Sequence, residues 1–238
     1  MQSDLVIFCD FDGTISTRDI GYDLFARFGS QDPLHDRLLS GAIGIRDYWR
    51  AVVGTLREPP TPEMLDPYLL SIPPDVGLNG LLDLAERRGI PFTILSDGLS
   101  FYVERYLHLH GIRPLPLVCN DARLGDDGAV TVSFPHAVDG CDCMSAVCKR
   151  AVVLTRSAPD QKIIYIGDGV SDFCPAECAD IIFAKGKLAA YCNANGLPHH
   201  SWTSLREVSH VIDRLIRDKK IRGRRQAELV RKRGWESG

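Results

Sequence analysis

Five short runs of branched and aromatic residues, separated by helix-length amphipathic stretches, constrain this chain more than any other feature. They are Leu5-Val6-Ile7-Phe8-Cys9, Pro91-Phe92-Thr93-Ile94-Leu95, Leu115 to Cys119, Lys162-Ile163-Ile164-Tyr165-Ile166 and Asp180-Ile181-Ile182-Phe183-Ala184. Continuous apolar runs of this length read as strands buried on both faces, and so as parallel strands. Between them, Leu78 to Arg88 stops at Gly89, Ser100 to His110 stops at Gly111, and Ser145 to Arg156 supplies a third crossover. Strand and helix in alternation predict an α/β fold built on a doubly wound parallel sheet.

One segment breaks the alternation. Ile20, Leu24, Phe25 and Phe28 fall on one helical face that Gly29 ends, Leu34, Leu38 and Leu39 suggest a second helix, and Tyr48, Val52 and Leu56 a third. Pro59, Pro60 and Pro62 then precede a short helix from Met64 to Leu70, and Pro73-Pro74 closes the segment. Residues 17–74 are therefore expected to form a small helical module inserted into a core of residues 1–16 and 75–216. Gly125, Gly128 and the alternating Ala129 to Phe134 predict a β-hairpin flap at about residues 120–140. Residues 217–238 read as a separate basic tail, in which nine Lys and Arg face only Asp218, Glu228 and Glu236. A solvated, frayed helix is the expectation there, with a nucleic-acid arm as the alternative.

Charge and hydropathy narrow the partners. A net charge of −3 over 238 residues argues against a chain built as a whole to coat nucleic acid. The start has no basic run, Leu5 to Cys9 is too short for a signal-peptide core, and no stretch nears the roughly 18 apolar residues of a membrane span. The cytoplasm is the expected compartment, without a membrane partner. Of the eight cysteines, Cys9 and Cys119 sit in apolar runs, while Cys141, Cys143 and Cys148 cluster. Cys-x-Cys-x₄-Cys lacks the usual paired zinc-ligand spacing, so buried or idle thiols are favoured over a structural metal. His136, His199 and His200 have no ligand-like spacing either.

Three of the strands end in polar, acidic turns: Asp10-Phe11-Asp12-Gly13-Thr14, Ser96-Asp97-Gly98, and Gly167-Asp168-Gly169-x-x-Asp172. Taken alone, the first could be a polar strand end leading into an Asp-Gly turn. In open α/β sheets, however, ligands bind at the carboxyl ends of strands, where the three turns could meet in one cleft. Asp10, Asp12, Asp168 and Asp172 converging there need a hard divalent cation, and an all-oxygen set suits Mg²⁺. Ser96 with neighbouring backbone N–H groups could hold a phosphate, and Lys149 could reach it. No G-x-x-x-x-G-K-[ST] loop is present.

Asp-Phe-Asp-Gly-Thr, Ser96, Lys149 and Gly167-Asp168-Gly169-Val170-Ser171-Asp172 resemble, in order and spacing, the four motifs of the haloacid dehalogenase superfamily phosphatases. The helical insertion resembles the cap of their phosphoserine phosphatase-like branch. Cys143-x₄-Cys148-Lys149 and Gly-Asp-Gly-x-x-Asp-Phe-Cys-Pro resemble the phosphocholine and phosphoethanolamine phosphatases. Cys119-Asn120, Pro135-His136 and Phe183-Ala184 resemble the methylthiopentenyl phosphate phosphatases of methionine salvage.

The resemblance implies a Rossmann-like core and a role for each motif. Asp10 would attack phosphorus and form an aspartyl phosphate, and Asp12 would protonate the leaving oxygen. Ser96 and Lys149 would hold the phosphoryl oxygens with Asp12, Gly13, Thr14, Asp97 and Gly98 around them. Mg²⁺ would be held by Asp10, the Asp12 backbone carbonyl and Asp168, with Asp172 in support. Asp19, Tyr22 and Asp23 of the cap, with Tyr48 and Trp49, would choose the substrate, although Asp19 could equally cap the first helix.

The expected activity is Mg²⁺-dependent hydrolysis of a small phosphorylated metabolite, resembling that on methylthiopentenyl phosphate, phosphocholine, phosphoethanolamine or phosphoserine. A phosphomutase and a nucleic-acid-binding regulator acting through the basic tail are the rivals. A homodimer stays open.

Overall fold

The computed structural model describes residues 3–30, 32–56, 60–124, 130–141, 143 and 145–236. Its strands are β1 (Leu5–Asp10), β2 (Phe92–Leu99), β3 (Leu117–Leu124), β4 (Val130–Ser133), β5 (Lys162–Gly167), β6 (Ile181–Ala184) and β7 (His200–Ser201). They form one sheet in the order β4-β3-β2-β1-β5-β6-β7. Every pairing is parallel except β3 with β4, which is antiparallel with Asp121 opposite Ser133. The chain builds outward from β1 first to one side and then to the other, so the crevice at the end of β1 lies where the winding reverses.

Alternation along the strands divides the core. Val6 and Phe8 join Tyr165 and Ile182 on one face, while Ile7 and Cys9 join Ile94, Ile164 and Phe183 on the other. The first face is covered by α7 (Lys149–Thr155), α8 (Phe173–Cys178), α9 (Gly186–Ala194) and α11 (Arg225–Glu236). The second carries α5 (Leu78–Arg87), α6 (Ser100–Leu109) and α10 (Leu205–Arg217). This is the expected doubly wound, Rossmann-like sheet. Among the described residues no helix is long and apolar enough to cross a membrane.

Between β1 and α5 come α1 (Ile20–Phe28), α2 (Asp32–Leu39), α3 (Ile45–Val53) and α4 (Pro62–Leu70), the inserted cap. Asp19 starts α1 by accepting the Tyr22 amide at 2.8 Å, and the Gly29 amide closes it on the Phe25 carbonyl. Phe25 meets Trp49 edge to face, so α1 and α3 share one buried apolar seam. The chain leaves the core and returns through paired passages. Ser16 bridges Pro74, the Thr17 amide donates to the Pro73 carbonyl, and the Asp75 amide donates to the Ile15 carbonyl.

Several expectations change. Ser96-Asp97-Gly98 is not a turn: β2 runs on to Leu99 through an irregularity between Leu95 and Leu99. The helix expected from Ser145 begins only at Lys149, because Ser145 and Val147 bond to Asp97 instead. The flap has its two arms in β3 and β4, while its glycine turn, residues 125–129, lies outside the described residues.

The basic tail is not frayed. Arg231 is 1% exposed, and its guanidinium donates to the Cys178 carbonyl and to both carboxylate oxygens of Asp180. Arg224 donates to the carbonyls of Ala176, Glu177 and Ala179. These two residues dock α11 against α8, which leaves the nucleic-acid arm without its free helix.

Candidate functional site

β1 delivers Asp10 to the centre of the sheet edge, and Gly13 turns the chain with φ +75°. A Cβ at Gly13 would lie 2.6 Å from Asp168 Oδ2, so only glycine lets the first loop approach the end of β5. Thr14 ties the loops together by donating to Asp168 Oδ1 at 3.2 Å. One carboxylate oxygen from each of Asp10, Asp168 and Asp172 lies within 4.8 Å of the others. Three of the four acids expected to converge are thus neighbours.

Lys149 is the fully buried cation of this group. Its Nζ donates to Asp10 Oδ1 at 2.5 Å, to Asp172 Oδ1 at 2.7 Å and to Ser171 Oγ at 3.0 Å. Burial works against its charge, but Asp10 and Asp172 outweigh it and hold the pKa above the usual lysine value. Asp172 is saturated. Oδ1 also accepts the Tyr165 hydroxyl at 2.6 Å, and Oδ2 accepts the amides of Asp168 and Gly169. These bonds let Asp172 fix Lys149 and shape the Asp168 loop.

Asp12 is held separately, with Oδ1 accepting the Ile20 amide at 2.8 Å from the first turn of α1. Ser96 Oγ accepts the Gly98 amide at 3.0 Å and reaches Asp12 Oδ2 at 3.5 Å. Burial pushes the Asp12 carboxyl well above its usual pKa, Asp19 adds to the push, and the Ile20 amide opposes it. Asp10 is raised by burial and then by the charge of Asp172, against the pull of Lys149. Asp168 is raised to about 6, by burial first and by Asp172 second. This is a floor of acids crowded enough to favour a proton or a cation.

The floor opens into a cavity of about 650 Å³ between sheet and cap. Opposite Asp10, Asp12 and Asp168 stand Leu38, Leu39, Ile45, Tyr22, Tyr48 and Trp49 of the cap. Asp19 lines it too while capping α1, and Tyr22 packs edge to face on His35. Asp23 pairs with Arg18 at 2.5 Å.

Asp97 has its carboxylate occupied by Ser145 Oγ and the Val147 amide, at 2.9 and 2.8 Å, so it braces the loop before Lys149. His35, Ser171, Lys185 and Lys187 also line the cavity or touch its polar group, and none was singled out from the sequence. Lys185 and Lys187 follow a strand end, Ala184, that carries no acid, so no polar signature marked them.

The haloacid dehalogenase-like hydrolase family model matches residues 7–177. A 2-hydroxy-3-keto-5-methylthiopentenyl-1-phosphate phosphatase of Geobacillus kaustophilus is 29% identical over 219 residues, covering 90% of this chain and 98% of the relative. One from Exiguobacterium sp. is 29% identical over 210 residues, covering 85% and 94%. Among solved structures, a phospho-aspartyl intermediate analogue of phosphoserine phosphatase superposes with a TM-score of 0.63 at 18% identity, covering 89% of this chain and 99% of that one. That last likeness is one of fold.

Proposed function

The chain belongs to the haloacid dehalogenase-like hydrolases, and from that premise we propose that it hydrolyses a small phosphomonoester with an apolar tail by way of an aspartyl phosphate on Asp10. The observation that carries this reading is the two-sided cavity: Asp10, Asp12, Asp168 and Lys149 on the floor, apolar and aromatic cap side chains facing them.

Asp10 attacks phosphorus as the ester P–O bond breaks, and Asp12 gives its proton to the departing oxygen. The raised pKa of Asp12, which burial causes, favours the protonated form that this step needs. Water then enters, Asp12 takes up its proton, and the P–O bond to Asp10 breaks to release phosphate. Lys149 holds Asp10 in line throughout, and Ser96 fixes the Asp12 side of the pocket.

The donor set fits Mg²⁺, because closely spaced, buried carboxylate oxygens are hard ligands that repel one another without a cation. Asp10 and Asp168, with the Asp12 backbone carbonyl, are the residues that would hold it. When bound it would screen the acids from an anionic substrate and stabilise charge on the phosphoryl oxygens.

That fit has a pH signature. Asp168 has a pKa of about 6 against 3.8 for the free side chain, so the folded chain binds more protons than the unfolded one between those values. Its contribution to stability is therefore present at low pH and lost as pH rises through about 6. Mg²⁺ competes with that proton. The rise in melting temperature on adding Mg²⁺ is expected to grow from pH 5 to pH 7 in native protein and to vanish in Asp168→Asn. A Mg²⁺ effect of equal size at both pH values would contradict this.

For the substrate, the apolar wall supports an ester like 2-hydroxy-3-keto-5-methylthiopentenyl-1-phosphate, the compound named for the relatives. A second reading has its own observation. Asp19 sits among Tyr22, His35, Tyr48 and Trp49, a composition suited to a quaternary ammonium such as phosphocholine. Steady-state kinetics on the methylthiopentenyl ester, phosphocholine and phosphoserine separate them. The first is expected to lead in kcat/KM by at least about tenfold, roughly 1.4 kcal/mol of tail recognition. Preference for phosphoserine would refute an apolar specificity pocket. We further propose that the enzyme works in the cytoplasm.

A further inference from the structure

Fifteen residues separate β4 from α7, a long connection for the interior of a domain, and its described residues form no helix or strand. Among the described residues, three backbone hydrogen bonds hold it: Ala137 to Phe134, Cys141 to Val138 and Cys148 to His136, the second a long 3.4 Å. It ends on Cys148, and the next residue is Lys149, whose ammonium must meet Asp10. Asp97 braces its last turn through Ser145 and Val147, and nearer the middle Asp139 accepts from the exposed Arg46 guanidinium of the cap at 2.9 Å.

At that middle the fold does what the spacing in the sequence did not suggest. The Sγ atoms of Cys141, Cys143 and Cys148 lie within 4.8 Å of one another, with Cys148 and Cys141 at 3.6 Å. That is too far for an S–S bond of about 2.05 Å. It is close to the ~3.8 Å separation that tetrahedral Zn–S bonds of ~2.3 Å require. Cys148 is buried, while Cys141 and Cys143 are half-buried and line a cleft of about 540 Å³ shared with Gly44, Arg46 and Asp47 of the cap. A tetrahedral ion held by the three sulfurs would have its fourth position facing that cleft.

We propose that Cys141, Cys143 and Cys148 bind one zinc ion that clamps the loop ahead of Lys149 at the border of core and cap. Coordination replaces the three thiol protons, which leave to solvent, with three Zn–S bonds; nothing is oxidised. The site is chemically separate from the floor of the large cavity. Soft thiolates select zinc over Mg²⁺, whereas the oxygen set suits Mg²⁺, so excess Mg²⁺ does not displace the zinc. The clamp is structural, acting on activity only through the place it gives Lys149.

The full chain, purified under a phosphine reductant and dialysed against excess Mg²⁺, is expected to retain one zinc by elemental analysis. Replacing zinc with Co²⁺ should give a thiolate-to-cobalt charge-transfer band in the near ultraviolet and tetrahedral bands in the visible. Cys141→Ser/Cys143→Ser, checked for folding by circular dichroism, should lose the zinc and the bands, whereas Asp168→Asn should keep both. The proposal is overturned if native protein takes up neither zinc nor Co²⁺ with that spectrum. It is equally overturned if the double variant keeps its zinc, or if the zinc leaves with Asp168. The cobalt spectrum of native protein decides the matter even if the cysteine variant fails to fold, and neither readout depends on which ester is hydrolysed.

Discussion

Asp10→Asn is expected to lower phosphate release by on the order of 10⁴-fold or more while the protein melts at or above the native temperature. The two halves of this result have one cause. Asp10 is 5% exposed, and its carboxylate sits beside Asp168 and Asp172, with Lys149 bonded to Asp10 and Asp172. A buried carboxylate raised by its surroundings is costly to keep ionised, and an amide of the same shape removes that cost. Lys149 still has Asp172 and Ser171, so it is not stranded. What disappears is the anionic oxygen that attacks phosphorus. Phosphate-release assays beside thermal melts read both halves. Activity within tenfold of native would remove Asp10 as nucleophile, and a large fall in melting temperature would show that the carboxylate mainly holds the fold together.

The largest stability effect is expected far from the cavity. Arg231→Ala should cost about 3–5 kcal/mol, because it leaves the buried Asp180 carboxylate without its guanidinium. Asp180 still accepts the amides of Ile163 and Arg224, but these do not neutralise its charge. For a chain of this size the loss corresponds to a fall of about 6–20 °C in melting temperature. Arg225→Ala, at an exposed position of the same helix, should change stability by no more than about 0.5 kcal/mol. Urea unfolding of both variants tests the contrast. Equal and small effects would mean that α11 contributes little to the folded state.

That contrast also shows where sequence reading ran out. The tail looked solvated because Arg224 and Arg231 sit among other cations, and nothing nearby in sequence answers them. Their partners, Ala176 to Asp180, lie 44 to 53 residues earlier, at the end of α8 and in the turn before β6. β1 and the four cap helices were legible because their periodicity is local: five apolar residues then an acid, or Ile20, Leu24 and Phe25 on one stripe. Asp10 and Asp168 could be picked because acids at the ends of buried strands are conspicuous. Lys149 could be matched to a motif, but its three-way bond to Asp10, Ser171 and Asp172 needed the fold. Asp97 shows the same limit, since it lines the cavity as its place at a strand end suggests. Its bonds to Ser145 and Val147, across a loop, have no local signature in the sequence. Cys141, Cys143 and Cys148 show the limit from the other direction, since their spacing along the chain does not reveal that the loop brings the three sulfurs together.

The paired passages at Ser16 and Pro74 have a consequence for traffic through the cavity. Two attachments lying side by side act as a door hinge: they permit a swing about the line through them and resist sliding or twisting. Near that line stand Thr17 and Arg18, which also line the cavity and would barely shift as the door moves. Arg46 of the cap also pairs with Asp139 of the core at 2.9 Å, an exposed contact that such a swing would have to break.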